Sequence, residues 1–320
     1  MRAIVRETYG PPDVLHLEEV ALPTLGDGDV LVKVHAASAN AGDWHLLRGT
    51  PFPFRLVAGL RTPRFTIIGT DIAGHVEAVG RKVSQFRPGD VVFGELSRCG
   101  FGAYAEVAAA PEKALALKPA NLSFEEAATL PTAGCTALQG LRKGRVQRAH
   151  RVLLNGASGG VGTFAVQIAK SFGTEVTAVC STRNVDMVRS IGADHVIDYT
   201  KDDFATQGRR YDLILATNGD RSIWDYRRAL TADGCYAMTG GSNRQLTEAL
   251  LFGPLLSVGR QQFGNVLVKP NQSDLLVLKE LCESGRMRPV IDRRFLLSEV
   301  PAAVRYVEAG HARGKVVVTM

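Results

Sequence analysis

Arg151-Val-Leu-Leu-Asn-Gly-Ala-Ser-Gly-Gly-Val-Gly162 runs directly into Thr163-Phe-Ala-Val-Gln-Ile-Ala-Lys-Ser-Phe-Gly173. The first residues are a short apolar run, the size of a buried parallel strand. Gly156, Gly159 and Gly162 follow at a spacing of three residues. Val161, Phe164, Ala165, Ile168 and Ala169 then share a helical face, and Gly173 is the stop. Strand, glycine turn and helix in this order are the setting of a dinucleotide fingerprint. Gly156 permits the tight turn, Gly159 lets backbone approach a pyrophosphate, and Gly162 lets helix pack on strand. The first N–H groups of the helix, from Gly160 and Val161, have no partner within the helix and face the phosphates, with Ser158 beside them.

The chain around this stretch has 320 residues, enough for one large domain or two ordinary ones. It is 45% hydrophobic and 22% charged, which is globular, and no apolar run is long enough to span a membrane. The opening Met1-Arg-Ala-Ile-Val-Arg6 reads as an immediate strand rather than a signal or transit segment, so a cytoplasmic protein is expected. Cys99, Cys135, Cys180, Cys235 and Cys282 are dispersed and odd in number, against a disulfide framework or a structural zinc lobe. The net charge of +6 suits small anionic ligands but is too diffuse to indicate nucleic acid.

Residues 1–122 read as short strands punctuated by Gly and Pro, among them Ala3–Val5, Val14–Leu17, Val30–Val34, a run ending at Gly80, one from Asp90, and Phe101–Val107. That pattern predicts a small barrel. Ser123-Phe-Glu-Glu126 is a capping box and opens an alternation of helices and strands that continues to residue 262. The alternation predicts a parallel sheet with helices on both faces. Residues 263–320 carry an amphipathic helix, an extended run, a helix capped by Ser298, and Gly314-Lys-Val-Val-Val-Thr319 as a closing strand. This tail is read as returning to the first domain.

The fingerprint, the Gly74, Gly80 and Gly89-Asp90 pattern, and the final Gly314-Lys-Val-Val-Val together resemble the medium-chain dehydrogenase/reductase superfamily. Asn40-Ala-Gly-Asp43-Trp and Leu130-Pro-Thr-Ala-Gly-Cys-Thr136-Ala look like its zinc-free quinone oxidoreductase branch, the zeta-crystallin-like proteins. The resemblance covers essentially the whole chain. It implies an α/β fold, a Rossmann doubly wound parallel sheet plus a GroES-like β-barrel domain, with the cofactor in the cleft between them. Zinc alcohol dehydrogenases carry Cys where this chain has Asn40, and Gly-His-Glu where it has Gly69-Thr70-Asp71. No catalytic metal is therefore expected, since zinc needs three converging ligands and an open position. His75 is read as a barrel-wall residue and His45 as a solvated or rim side chain.

The cofactor expectation is NADPH. The second strand of the sheet ends at Cys180-Ser181-Thr182-Arg183, where NAD binders place an acid for the ribose 2′-hydroxyl. Here hydroxyls and a guanidinium stand instead, and Arg can clamp a 2′-phosphate through paired charged hydrogen bonds. By resemblance, Tyr199 lies near that ribose, and Thr136, at a helix start, lies near the nicotinamide-side phosphate. Asn218 and Gly240 lie along the cofactor. Phe263 to Leu267 pass the nicotinamide and present backbone to its carboxamide, and Lys315 reaches an anion, although a strand-end surface lysine is an equal reading.

Without a metal the acceptor must take hydride unaided, which favours quinones and α,β-unsaturated carbonyls whose added charge delocalises. Asn40 is the expected oxyanion or ribose contact. Asp43 either joins the site or caps its own short helix. Phe52 stands where related enzymes often have a tyrosine, and Tyr104 is a substitute donor or a wall residue. The 50–64 loop mixes Phe52, Phe54, Leu56, Val57 and Leu60 with Arg55, Arg61 and Arg64. The expected partner is a small apolar electrophilic substrate molecule, and the loop is read as a lid or mouth for a bulky apolar substrate, as a peripheral membrane contact or as plain cover. The alternative function is an NADPH-binding sensor or interaction module with little turnover. A homodimer is a family expectation only.

Overall fold

The computed structural model describes residues 1–52, 55–257 and 259–320. The first stretch holds β1 (Arg2–Val5), β2 (His16–Glu19), β3 (Asp29–Ala39), α1 (Ala41–Arg48), α2 (Arg55–Ala58), β4 (Asp71–Val79), β5 (Val91–Glu95), β6 (Val107–Pro111), β7 (Leu115–Leu117) and α3 (Phe124–Ala128). The middle holds α4 (Pro131–Lys143), β8 (Arg151–Asn155), α5 (Gly160–Ser171), β9 (Glu175–Cys180), α6 (Val185–Ser190), β10 (His195–Asp198), β11 (Tyr211–Ala216), α7 (Ile223–Ala229), β12 (Leu230–Met238), α8 (Asn243–Leu256) and β13 (Gln262–Asn265). The end holds α9 (Gln272–Glu283), β14 (Ile291–Leu296), α10 (Val300–Glu308) and β15 (Lys315–Thr319).

Two compact units result. One comprises residues 1–132, 270–284 and 289–320; the other comprises 133–269 and 285–288. The divisions fall beyond the expected 122/123 and 262/263. Capping-box helix α3 packs on β3 and β4, with Phe124 stacked on His35 at 4.4 Å, so it belongs with the barrel. Strand β13 pairs with β12, so its residues belong with the parallel sheet.

In the first unit the strands run β14-β15-β3-β4-β5-β7, with β6 on β3 and a separate β1-β2 ribbon. Strand β3 alternates as expected of one buried face: Val30, Val32 and Val34 are buried, and Lys33 is exposed. The tail does return, since β15 pairs antiparallel with β3, Val316 opposite Ala39. Three expected boundaries shift. Pro12–Val14 forms a 3₁₀ turn, so the strand there starts at His16. The expected Phe101–Val107 strand begins only at Val107, because Phe101 and Gly102 have φ of +66° and +106° and break the extended run. Ser298 does not cap α10; it sits in the 3₁₀ turn Leu297–Glu299, and Glu299 instead accepts from the Leu296 N–H at 2.8 Å.

In the second unit six parallel strands run β10-β9-β8-β11-β12-β13. This is the doubly wound order whose direction reverses beside β8, the strand that carries the glycine turn. Cys180 and Cys235 are buried within it as small core residues.

Candidate active site

Each unit brings together polar residues that bear on the site. In the second unit, β8 delivers the chain to the glycine turn. Gly156 has φ of +89°, and a Cβ there would lie 2.7 Å from Thr217 Oγ1. A Cβ on Gly162 would lie 2.2 Å from the Gly156 carbonyl oxygen. The protein's own packing therefore demands both glycines. Gly159 is different: a Cβ there would meet only the Gly156 oxygen, at 3.6 Å, an ordinary contact. Among the described residues nothing else lies within 4 Å of that position. Helix α5 starts there, with Gly159 as N-cap and no capping side chain. Its first N–H groups, on Gly160 and Val161, suit a pyrophosphate.

Asn184, which the sequence reading passed over, ties this turn to the end of β9. Its buried amide donates to Ser158 Oγ at 2.9 Å and Ser181 Oγ at 3.2 Å. Arg183 and Tyr199 are exposed, and Tyr199, at 58%, is not a core aromatic. Thr182 donates its hydroxyl to Asp198 Oδ2 at 2.5 Å. The hydrogen bond from Thr182 holds the Asp198 carboxyl below its ordinary range, and Lys201 lies 3.7 Å away. An acid thus does stand at this strand end, supplied by β10 rather than β9. Asn218 and Gly240 follow β11 and β12, and a Cβ on Gly240 would lie 2.6 Å from the Thr217 oxygen.

The structure changes the expected setting of three of these residues. Thr136 is not at a helix start; α4 begins at Pro131, so Thr136 is buried inside the helix. Phe263 is a core residue, and its backbone is engaged by Ser257: its N–H donates to Ser257 Oγ at 2.9 Å and its carbonyl accepts from the same hydroxyl at 3.3 Å. Lys315 is neither a surface lysine nor free to reach an anion. It is 3% exposed inside the barrel, where the first residue of β15 faces inward.

The second group is in the barrel unit, around Asp71 at the start of β4. Asp71 Oδ2 accepts from Ser38 Oγ at 2.8 Å and Asn40 Nδ2 at 2.9 Å, with Lys315 Nζ 3.7 Å away. Asp71 Oδ1 accepts from the Thr132 N–H at 3.0 Å and its hydroxyl at 2.6 Å. Lys315 donates to Asn40 Oδ1, and burial lowers the lysine's pKa against the opposing pull of Asp71. Asn40 Nδ2 also faces Thr70 Oγ1 at 3.1 Å and the Ser38 carbonyl at 3.2 Å. Three acceptors therefore share two amide hydrogens, so Asn40 is committed within the protein and has none to offer an oxyanion. Ser38, Thr132 and Asp71 were not singled out from the sequence; an acid closing a Gly-Thr-Asp turn before an apolar strand was the one available signal.

Asp43, on α1, accepts from the Asn40 N–H at 2.7 Å and from the Tyr104 hydroxyl at 2.8 Å, both on Oδ2. It caps its helix, as the second of its two readings proposed. Among the described residues its Oδ1 meets no donor. Burial pushes this carboxyl up to about 7 despite those two hydrogen bonds. Tyr104 is fully buried, a wall residue whose hydroxyl is spent on Asp43. Glu95, opposite Asp71 across β4 and β5, is also pushed by burial to about 7, and its Oε2 meets no described donor.

No group of three His, Cys, Asp or Glu side chains converges as a metal-ligand set among the described residues. His35 and His75 pair with each other at 2.9 Å, and His45 contacts the Thr50 carbonyl at 3.0 Å. In the 50–64 loop, Phe52, Leu56 and Leu60 are exposed, whereas Arg55 is tied down: it donates to the Gly49 carbonyl at 3.1 Å and lies over the Tyr9 ring at 4.5 Å. Arg55 is therefore committed within the protein rather than turned toward a membrane surface. Phe54 and the Val57 side chain lie outside the described residues.

A six-stranded doubly wound sheet with a glycine turn at its reversal point, in one chain with a GroES-like barrel, defines a dinucleotide-binding oxidoreductase fold. Residues 26–120 match the alcohol dehydrogenase GroES-like domain, and residues 191–318 match the zinc-binding dehydrogenase family. The chain is 36% identical to the chloroplastic quinone oxidoreductase of Triphysaria versicolor, covering 99% of this chain and 98% of that one. It is 34% identical to the chloroplastic NADPH-dependent alkenal/one oxidoreductase of Arabidopsis thaliana, covering 99% of this chain and 79% of the relative. The solved quinone oxidoreductase of Coxiella burnetii superposes with a TM-score of 0.89 at 32% identity, covering 100% and 99% of the two chains. The chain belongs to the medium-chain dehydrogenase/reductase superfamily, in its quinone oxidoreductase branch, and is an oxidoreductase with a nicotinamide cofactor. Among the described residues no helix is long and apolar enough to cross a membrane.

Proposed function

We propose that the protein is a zinc-independent, NADPH-dependent reductase of quinones or α,β-unsaturated carbonyl compounds. The observation that carries this reading is the donor set around Asp71. Where a zinc enzyme has thiolate and imidazole, this barrel has the amide of Asn40 and the hydroxyl of Thr70, both hydrogen-bonded to each other and backed by a buried Lys315–Asp71 pair. Amide and hydroxyl are poor zinc ligands, but they suit an acceptor that delocalises its own negative charge.

The phosphates would be held by Gly159, Gly160, Val161 and Ser158, and the ribose by Ser181, Arg183 and Tyr199. Arg183 supports a 2′-phosphate, and Asp198, with its charge turned to Thr182 and Lys201, opposes it less than a free acid would. The bound nicotinamide supplies hydride. The protein's part is to orient the acceptor, exclude water and meet the charge that develops on the acceptor oxygen.

The test is oxidation of NADPH and of NADH by the pure protein with 9,10-phenanthrenequinone, 1,4-benzoquinone, and short and long 2-alkenals, with and without a chelator. Chelator-insensitive loss of reduced-nicotinamide absorbance, faster with NADPH, is expected. Tight NADPH binding without turnover on any acceptor would instead favour a sensor or interaction module.

A further inference from the structure

We infer that the hydroxyl of Thr70 is the hydrogen-bond donor to the oxyanion of the acceptor, polarised by Lys315 acting through Asn40. This rests on the reductase reading and goes beyond it by naming the donor.

The inference follows from accounting for hydrogens. Lys315 gives one to Asn40 Oδ1. Asn40 gives its two to Thr70, Asp71 and Ser38, with Thr70 Oγ1 at 3.1 Å. Thr132 gives its hydroxyl hydrogen to Asp71 at 2.6 Å, a short and strong bond to a carboxylate. Ser38 gives its own to Asp71 at 2.8 Å. The hydrogen of Thr70 is the one left with a weak commitment. Its neighbour is Thr132 Oγ1 at 3.2 Å, longer than the ~2.7–2.8 Å usual between hydroxyls. That hydrogen can turn to a better acceptor at small cost.

The donors also point one way. Lys315 donates to Asn40, Asn40 to Thr70, and Thr70 is free to donate outward. In such a chain each bond polarises the next, and a positive charge at its base strengthens the last donor. Asp71 and Ser38 are fully buried, whereas Asn40 and Thr70 keep 8% and 6% of their surface and Thr132 is half-buried, so solvent reaches the cluster on the side of Asn40, Thr70 and Thr132. When hydride adds to the β-carbon of an enone, the C=C pair moves toward the carbonyl and charge collects on its oxygen. Thr70 hydrogen-bonds that oxygen and retains its proton, and water then protonates the α-carbon. Thr70 is thereby a catalytic residue, and Asn40 and Lys315 are positioning residues.

The test compares wild type with Thr70→Val, Thr70→Ala, Thr70→Ser and Lys315→Met, each first checked for folding and NADPH affinity. The probes are 4-nitrophenolate, a stable oxyanion, and its neutral counterpart 4-nitrotoluene, both measured with NADP⁺ present. Thr70→Val and Thr70→Ala should bind phenolate about tenfold more weakly than wild type, with 4-nitrotoluene and NADPH unchanged within about twofold. Thr70→Ser should stay near wild type. Lys315→Met should lose phenolate but not 4-nitrotoluene affinity, which a purely structural lysine would not do. Enone turnover should fall about 10²-fold in Thr70→Val. Equal phenolate affinity of wild type and both Thr70 truncations, including no binding by any, overturns the inference. If wild type reduces no acceptor the reductase reading fails, and the phenolate comparison still decides the role of Thr70.

Discussion

The ammonium of Lys315 lies 3.7 Å from Asp71 Oδ2, with both side chains buried in the barrel. A buried pair adds little net stability over an apolar substitute, but removing one partner leaves a charge with no water and no counter-ion. Lys315→Met should therefore cost about 3–5 kcal/mol in urea unfolding. The double variant Lys315→Met/Asp71→Asn should recover at least half of that. Equal costs for single and double variants would show that the pair is not coupled.

Asp43 yields a pH prediction. Burial raises its carboxyl to about 7 from an ordinary value of 3.8, so the folded protein holds a proton there that the unfolded chain has released. Its contribution to stability is full below about 4 and is lost as pH rises through about 7. Asp43→Asn keeps an acceptor for Tyr104 and Asn40 but cannot ionise. The variant's stability relative to wild type should improve by about 2 kcal/mol between pH 5 and 7 and change no further above that. A gap that is constant with pH would mean Asp43 is ionised throughout.

The glycines of the turn should separate by role. Gly162→Ala places a methyl 2.2 Å from a carbonyl oxygen, and should cost about 2 kcal/mol or more. Gly159→Ala should leave the melting temperature near wild type, since its methyl meets nothing closer than 3.6 Å. It should weaken NADPH binding at least about tenfold, because the methyl takes the space of the pyrophosphate. Fluorescence titration with NADPH beside thermal melting distinguishes the two.

The proposed preference for NADPH is testable at Arg183. Arg183→Ser should raise KM for NADPH about tenfold and leave NADH nearly unaffected, because only the former carries the 2′-phosphate. Asp198→Asn should shift preference further toward NADPH. Steady-state kinetics with both nucleotides reads both effects, and no change in the NADPH/NADH ratio for either variant would move the 2′ site elsewhere.

The sequence by itself determined the parts whose signal is local. Glycine spacing with an apolar run before and a helical stripe after set the β8-turn-α5 unit, because strand, turn and helix each bury their own periodic face. The Ser123–Glu126 box was legible for the same reason, its two bonds spanning three residues. The tertiary structure alone decided the barrel site. Asn40 meets Asp71 across 31 positions and Lys315 across 275, through the register of β3 with β4 and β15. Lys315 opens an apolar strand, and local pattern does not say to which face its first residue turns; the pairing of β15 with β3 does. Thr182 lies in the turn after β9 and Asp198 ends β10, so their meeting came from the register of those two strands rather than from spacing. Local propensity encodes elements within a few residues, whereas the charges that make the site are brought together only when those elements pair.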